Sequence, residues 1–190
     1  MRIDISTIND SQNLYQILSL QQKNLPHNIS KEEAIEQGFV TVEHTLDILK
    51  QMQNAEPSVI AKHNNEVIGY ALVMLQQFKT FIPVLAPMFQ MIDQIDYNGK
   101  KLSAYHYFVM GQVCIDKNYR GLGIFDKLYF KLKEAYQNKY QLLITEVAKR
   151  NQRSIKAHQR VGLKTIHEYS DDRGEVWEIM IREFRNASRQ

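Results

Sequence analysis

Val113-Cys114-Ile115-Asp116-Lys117-Asn118-Tyr119-Arg120-Gly121-Leu122-Gly123-Ile124-Phe125 is the stretch from which the fold can be read. Val113, Cys114 and Ile115 continue an extended run begun at Phe108, Val109 and Met110, and such residues favour strands. Asp116 to Tyr119 are a polar break. From Phe125 onward, Leu128, Leu132, Ala135 and Tyr136 recur with a helical period. Two glycines therefore stand where the chain leaves a strand and opens a helix. First-turn amides of a helix lack internal partners, and the macrodipole adds positive character there. Glycine lets backbone approach a phosphate closely, so the amides of Leu122, Gly123, Ile124 and Phe125 suit a diphosphate, with Arg120 as a cation beside them. The plainer alternative is a tight connection in which the glycines only permit positive φ. Local sequence leaves both open.

The pattern is not the dinucleotide fingerprint, because Asp126 stands at the third glycine's place, and no Gly-Lys-Ser/Thr ending makes it a P-loop. Arg120-Gly121-Leu122-Gly123-Ile124-Phe125 instead resembles the Arg/Gln-x-x-Gly-x-Gly/Ala signature of the GNAT superfamily of acyl-CoA-dependent N-acyltransferases, Phe125 replacing the small final residue. Asn151-Gln152-Arg153-Ser154-Ile155-Lys156-Ala157-His158-Gln159-Arg160-Val161-Gly162-Leu163 is similar to the family's second motif, with Leu163 for Phe. The resemblance spans about residue 58 to the C-terminal strand. It implies an α/β fold with a mixed, largely antiparallel sheet flanked by helices, in which two parallel strands splay into a CoA cleft. It also implies acetyl-CoA as acyl donor and a small-molecule or peptide amine as acceptor. Backbone of Val113, Cys114 and Ile115 would meet the pantetheine arm, an N–H near Ile115 would face the oxyanion, and Asn151 and Ser154 would contact the cofactor.

Composition sets the frame. A chain of 190 residues buries one good core, and without any composition shift a single domain over residues 1–190 is expected. At 44% apolar and 24% charged residues it is an ordinary globular sequence rather than a disordered one. A net charge of +3 is too small to argue for nucleic acid. No apolar run spans a membrane, one cysteine excludes an internal disulfide, and six scattered histidines suggest no metal site. A cytoplasmic, metal-free protein is expected, and a homodimer is compatible with the resemblance.

In chain order, the spacing predicts a strand over 2–5, a helix from residue 9 or 10 bearing Leu14, Ile17 and Leu18, and a helix bearing Leu46, Leu49 and Met52. A capping-box pattern predicts another helix from Ser30 to Gln37, stopped by Gly38 before an extended Phe39 to Val42. Strands over 59–62 and 67–75 should form a hairpin at Asn64-Asn65. Pro83 and Pro87 argue against one helix over 76–98, an apolar stretch read as a cap on the sheet or, alternatively, as a wall of the acceptor pocket or a dimer contact. A long strand over 102–115 would put Val109, Gly111 and Val113 on one face and Met110, Gln112 and Cys114 on the other, with Gly111 marking a bulge or a close approach. A helix over 124–138, a strand over 142–147, a helix over 152–161 capped by Asn151 and stopped by Gly162, a closing hairpin over 163–184 and a loose tail complete the chain.

For catalysis, His158 occupies the place where many relatives carry a thiolate-protonating Tyr, and its imidazole either donates a proton or only packs. Val109 stands where some relatives have a basic glutamate, leaving Tyr107 or Glu146 to take the amine's proton, or to be merely structural. Cys114 has no evident base and reads as a core residue. The basic residues Lys149, Arg150, Arg153, Lys156, Arg160 and Lys164 form a run without acids, either a solvated face or an attraction for the phosphates of CoA or for an acidic partner. Two other classes compete: a non-catalytic acyl-CoA sensor or assembly domain, and an RNA-associated domain, disfavoured because no aromatic platform interleaves the basic run.

Overall fold

The computed structural model describes residues 1–30, 32, 40, 42–80 and 82–184. Most of the helix expected from Ser30 to Gln37, its stop at Gly38, half of the extended segment after it and the tail lie outside the described residues. Strand β1 (Asp4–Thr7) is two residues later than expected and pairs from Asp4 opposite Lys62 to Thr7 opposite Val59. Helix α1 (Gln12–Lys23) buries Leu14, Ile17 and Leu20. Helix α2 (Leu46–Ala55) starts where Thr45 accepts a hydrogen bond from the Ile48 amide at 3.3 Å. β2 (Val59–His63) and β3 (Glu66–Met74) turn at Asn64 and Asn65, whose φ values of 50° and 67° give the twist that tight hairpins prefer.

The proline-bearing stretch breaks as its prolines dictate. It forms short 3₁₀ turns at Gln76–Thr80 and Pro83–Leu85, then α3 (Ala86–Gln94), with Phe78, Phe89 and Ile92 buried under the sheet. The expected long strand from residue 102 is shorter. Asn98-Gly99 closes a separate ribbon of β4 (Asp96–Tyr97) and β5 (Lys100–Lys101), so the chain turns through Leu102–Ala104 before β6 (Tyr107–Ile115). Then come α4 (Ile124–Tyr136), β7 (Leu142–Ala148), α5 (Gln152–Arg160), β8 (Lys164–Ser170) and β9 (Val176–Glu183).

The main sheet runs β1-β2-β3-β6-β7-β9-β8, antiparallel except for β6 and β7. Its two faces carry separate apolar layers. One joins Ile17, Met52, Phe89, Val109, Cys114, Ile144 and Ile179, and so carries α1, α2 and α3. The other joins Phe108, Met110, Leu128, Leu143, Ile155 and Met180, under α4 and α5. The expected alternation along β6 fails at Gly111. Leu72 pairs with Gln112 but Val73 with Met110, so Gly111 is an extra residue opposite the gap. The bulge inverts the parity: Cys114 joins the face of Val109, and Val113 and Ile115 pack with that of Met110.

Candidate active site

The parallel strands separate midway. They pair from Tyr107 opposite Leu142 to Val109 opposite Ile144, and Thr145 Oγ1 donates to the Met110 carbonyl at 3.1 Å just beyond. Past this point β6 has no β7 partner, and the gap opens into two connected spaces. The larger, of about 520 Å³, is lined by Val113, Cys114, Ile115, Arg120, Gly121, Gly123, Ile124, Phe125, Asn151 and Ser154. The smaller, of about 170 Å³, is lined by Gly111, Gln112, Thr145, Glu146, Arg150, His158 and Trp177. Val40, Val113, Asn151 and Ser154 border both. Of the cofactor contacts expected from the sequence, Leu122 alone is outside this lining, with its side chain in solvent.

The loop before α4 has the shape its glycines suggest. Gly121 and Gly123 have φ of 81° and 70°, and a Cβ built on either would meet nothing within 4 Å. Gly123 is the residue before the first helical turn and supplies no side-chain cap, so the Ile124 and Phe125 amides begin α4 beside the cleft. Asp126, which could have occupied them, is instead held by the Arg160 guanidinium at 2.6 Å. Phe125, the departure from the small-residue pattern, stacks on Tyr129 at 4.8 Å and meets the edge of His158 at 5.0 Å. Arg120 lines the same space as the glycines and is also anchored within the chain. Its Nη2 donates to Asn24 Oδ1 at 3.0 Å and its Nε to the Ile115 carbonyl at 3.3 Å, tying the loop to the end of α1.

Asn151 caps α5 as expected, accepting from the Ser154 amide at 3.1 Å, and Gly162 ends it with φ of 90°. The run of basic residues looks acid-free only in sequence. In space Lys149 meets Glu168, Arg150 meets Glu175, Arg160 meets Asp126, and Lys164 approaches Glu183. His158 is 1% exposed, and its Nδ1 lies 2.7 Å from the Ser154 carbonyl. A carbonyl only accepts, so Nδ1 carries the proton and Nε2 has none. Nε2 is buried without a partner among the described residues, and burial pulls the ring's pKa down to about 4. At neutral pH this imidazole has no proton to donate from Nε2, which speaks for the packing role over the acid role.

The other two catalytic candidates part company. Tyr107 stands at the closed end of the strand pair, where its hydroxyl donates to Asp93 at 2.8 Å and accepts from Gln76 at 3.0 Å. The structure does not bring it to the cleft. Glu146 lies past the split, two residues after Ile144 on the face of α1 and α2. Burial raises its carboxyl to about 7, against a hydrogen bond from the Tyr169 hydroxyl that lowers it and the Asp171 charge that raises it. Cys114 is buried beneath the larger space, its thiol pushed up to about 12 by burial, which leaves it a poor nucleophile.

Several lining groups escaped the sequence reading. Gln112 sits in a buried amide network: its Oε1 accepts from Gln21 Nε2 at 2.9 Å and from Tyr70 at 2.7 Å, and its Nε2 donates to the Val42 carbonyl at 2.8 Å. Gln21 also bonds His44 at both Nδ1 and the amide, each at 2.9 Å, so α1, β6 and the segment entering α2 are locked together. Burial lowers His44 to about 4. Trp177, whose Nε1 donates to Asp171 at 3.1 Å, reaches the cleft from the β8–β9 hairpin. Such partners are distant in sequence, and no local spacing signals them. Among the described residues no cluster of His, Cys, Asp or Glu could hold a metal, and no helix is long and apolar enough to cross a membrane.

The sequence pattern of the Acetyltransferase (GNAT) family matches residues 14–163. No curated protein matches the chain. Among solved structures, the ribosomal-protein-S18-alanine N-acetyltransferase of Escherichia coli is similar at 13% identity, covering 100% of this chain and 98% of its own, with a TM-score of 0.65. The NatC complex bound to Gag peptide and CoA gives 13%, 97%, 100% and 0.65. The Salmonella typhimurium protein yncA with its cofactor acetyl-CoA gives 13%, 100%, 98% and 0.63. At such identities the likeness is one of fold.

Proposed function

Because the chain belongs to the acetyltransferase (GNAT) family, we propose that it transfers an acetyl group from acetyl-CoA to a primary amine held in the gap between β6 and β7. The observation that carries this is the split itself, which brings a glycine loop, a helix start and a strand edge without a β7 partner to one end of a cleft and a carboxylate with a raised pKa to the other. The residues present fit the donor. The space over Gly121 and Gly123 admits phosphate oxygens to the amides that open α4, and the edge of β6 from Val113 to Ile115, which has no β7 partner, suits the amides of a pantetheine arm. Asn151 and Ser154 face the same space from the start of α5. When bound, acetyl-CoA supplies an acyl group activated as a thioester.

The remaining work falls to the chain. Glu146 receives the proton of the incoming ammonium, and a pKa near 7 suits a base that is ionised at neutral pH yet still holds a proton. Gln112 and Trp177 border the acceptor, and an N–H of β6 near Ile115 faces the developing oxyanion. His158 packs, and Tyr107 anchors α3. The acceptor is a small-molecule or peptide amine; the solved NatC complex carries a peptide. The whole chain, residues 1–190, acts as one such domain. A second reading, an acyl-CoA-binding domain without turnover, draws on the deprotonated Nε2 of His158 and on the apolar Val109. Titrating acetyl-CoA into isotope-labelled protein tests the site. Amide shifts centred on residues 113–115, 121–125, 151 and 154 are expected, and shifts confined to other surfaces would overturn it.

A further inference from the structure

We propose that Tyr169 is the positioning residue of the cleft carboxylate: its hydroxyl donates to Oε2 of Glu146, fixing the orientation of that group and favouring its ionised form. The proposal rests on reading Glu146 as the base. Tyr169 belongs to β8, the outermost strand, with β9 between it and β7. Two strand spacings are about 10 Å, so the bond spans a whole strand. Tyr169 pairs with Trp177, which pairs with Ala148, whereas Glu146 pairs with Ile179. The contact therefore runs diagonally over β9, a reach that needs two long side chains directed at each other. Glu146 itself lines the smaller space, so the bond holds a carboxylate that borders the cleft.

The surroundings make that bond count. Asp171, in the turn after β8, disfavours a second negative charge nearby. Arg150 lines the same space, but its Nε donates to Glu175 at 2.7 Å. From β6 the facing group is the neutral amide of Gln112, from β9 the indole of Trp177, and from α5 the uncharged His158. Burial and the adjacent carboxylate hold the Tyr169 hydroxyl far above its ordinary range, so it remains a donor wherever Glu146 titrates. A donor to the charged form lowers a carboxyl's pKa, so Tyr169→Phe moves the Glu146 midpoint upward. A shift of about one unit cuts the ionised fraction tenfold at any pH well below the midpoint.

The test needs no knowledge of the acceptor. The full chain, labelled at the glutamate side-chain carboxyl carbons, is titrated by NMR as the unaltered protein, as Tyr169→Phe, and as Glu146→Gln to assign the signal. The expected midpoint is near 7 in the unaltered protein and about one unit higher in Tyr169→Phe. Difluorotyrosine at position 169, a stronger donor of the same shape, moves it lower, and this keeps the test valid if the Phe variant is poorly folded. A midpoint unchanged in either folded variant overturns the proposal, because a tyrosine that merely packs does not alter this titration. Acetylation of a panel of primary amines by Glu146→Gln separates the two readings. Full activity there removes Glu146 as base, while the NMR shift still reports on its bond to Tyr169.

Discussion

Gly123→Ala separates the cradle from the fold. At φ of 70° an alanine enters the left-handed region at a cost of about 1–2 kcal/mol. No steric cost is added, since the new Cβ meets nothing within 4 Å. For a chain of this size that lowers Tm by roughly 2–8 °C and leaves the protein folded at room temperature. In the proposed complex the same methyl fills the space through which a phosphate oxygen reaches the α4 amides. Losing one such charge-assisted hydrogen bond is worth about 1.5–3 kcal/mol, or roughly ten- to a hundredfold in Kd for CoA. Gly99→Ala is the matched control: its φ is 82°, its Cβ also meets nothing, and it lies in the β4–β5 turn. Thermal melts and calorimetric titration with CoA on the two variants give the comparison. Similar melting shifts with weakened CoA binding in Gly123→Ala alone are expected. Equal affinity of both folded variants for CoA would refute the assignment of this loop.

Glu146→Gln is expected to lower amine acetylation by a factor on the order of 10² to 10⁴ with CoA affinity preserved, and to abolish the decline in rate as pH falls through about 7; pH–rate profiles on both proteins check this. Stability carries a second pH signature. His44 and His158 have folded pKa values near 4 against an ordinary 6.5, so the unfolded chain binds the extra protons and each group costs on the order of 3 kcal/mol as pH falls from 6.5 to 4. Glu146, raised from 4.5 to about 7, acts oppositely as pH falls from 7 to 4.5, so the net loss is that of about one histidine. Urea titrations should show this loss in the unaltered protein and a nearly flat profile in His158→Phe, whose turnover should keep its pH dependence. Cys114→Ala should retain most activity, and mass spectrometry should find no acylated Cys114 during turnover, because the buried thiol is not ionised at working pH.

The parts of this site that could be read from the sequence are those made by neighbours in the chain. The Gly121–Gly123 loop, the Asn151 cap and the Gly162 stop are each set by backbone chemistry within a few residues. Alternation along β6 misled because one extra residue at Gly111 reverses every side chain after it, and a glycine signals a bulge without placing its register. Tyr107 was a reasonable candidate by position on the strand, but Asp93, which claims its hydroxyl, comes from a helix whose docking the sequence does not show. Tyr169 and Trp177 sit in a hairpin that reads as a sheet edge, and only the β7-β9-β8 order brings them to Glu146. The basic run found its acids across the sheet and on α4.

The central claim is acetyl transfer, and the most direct measurement follows thiol release from acetyl-CoA by the full chain in the presence of primary amines and peptides with free N-termini. Products are weighed by mass spectrometry. At least one acceptor is expected to raise thiol release well above the rate without amine and to gain a single acetyl group. Saturable acetyl-CoA binding with no acceptor acetylated across the panel would contradict the account and favour a domain that holds acyl-CoA without turning it over.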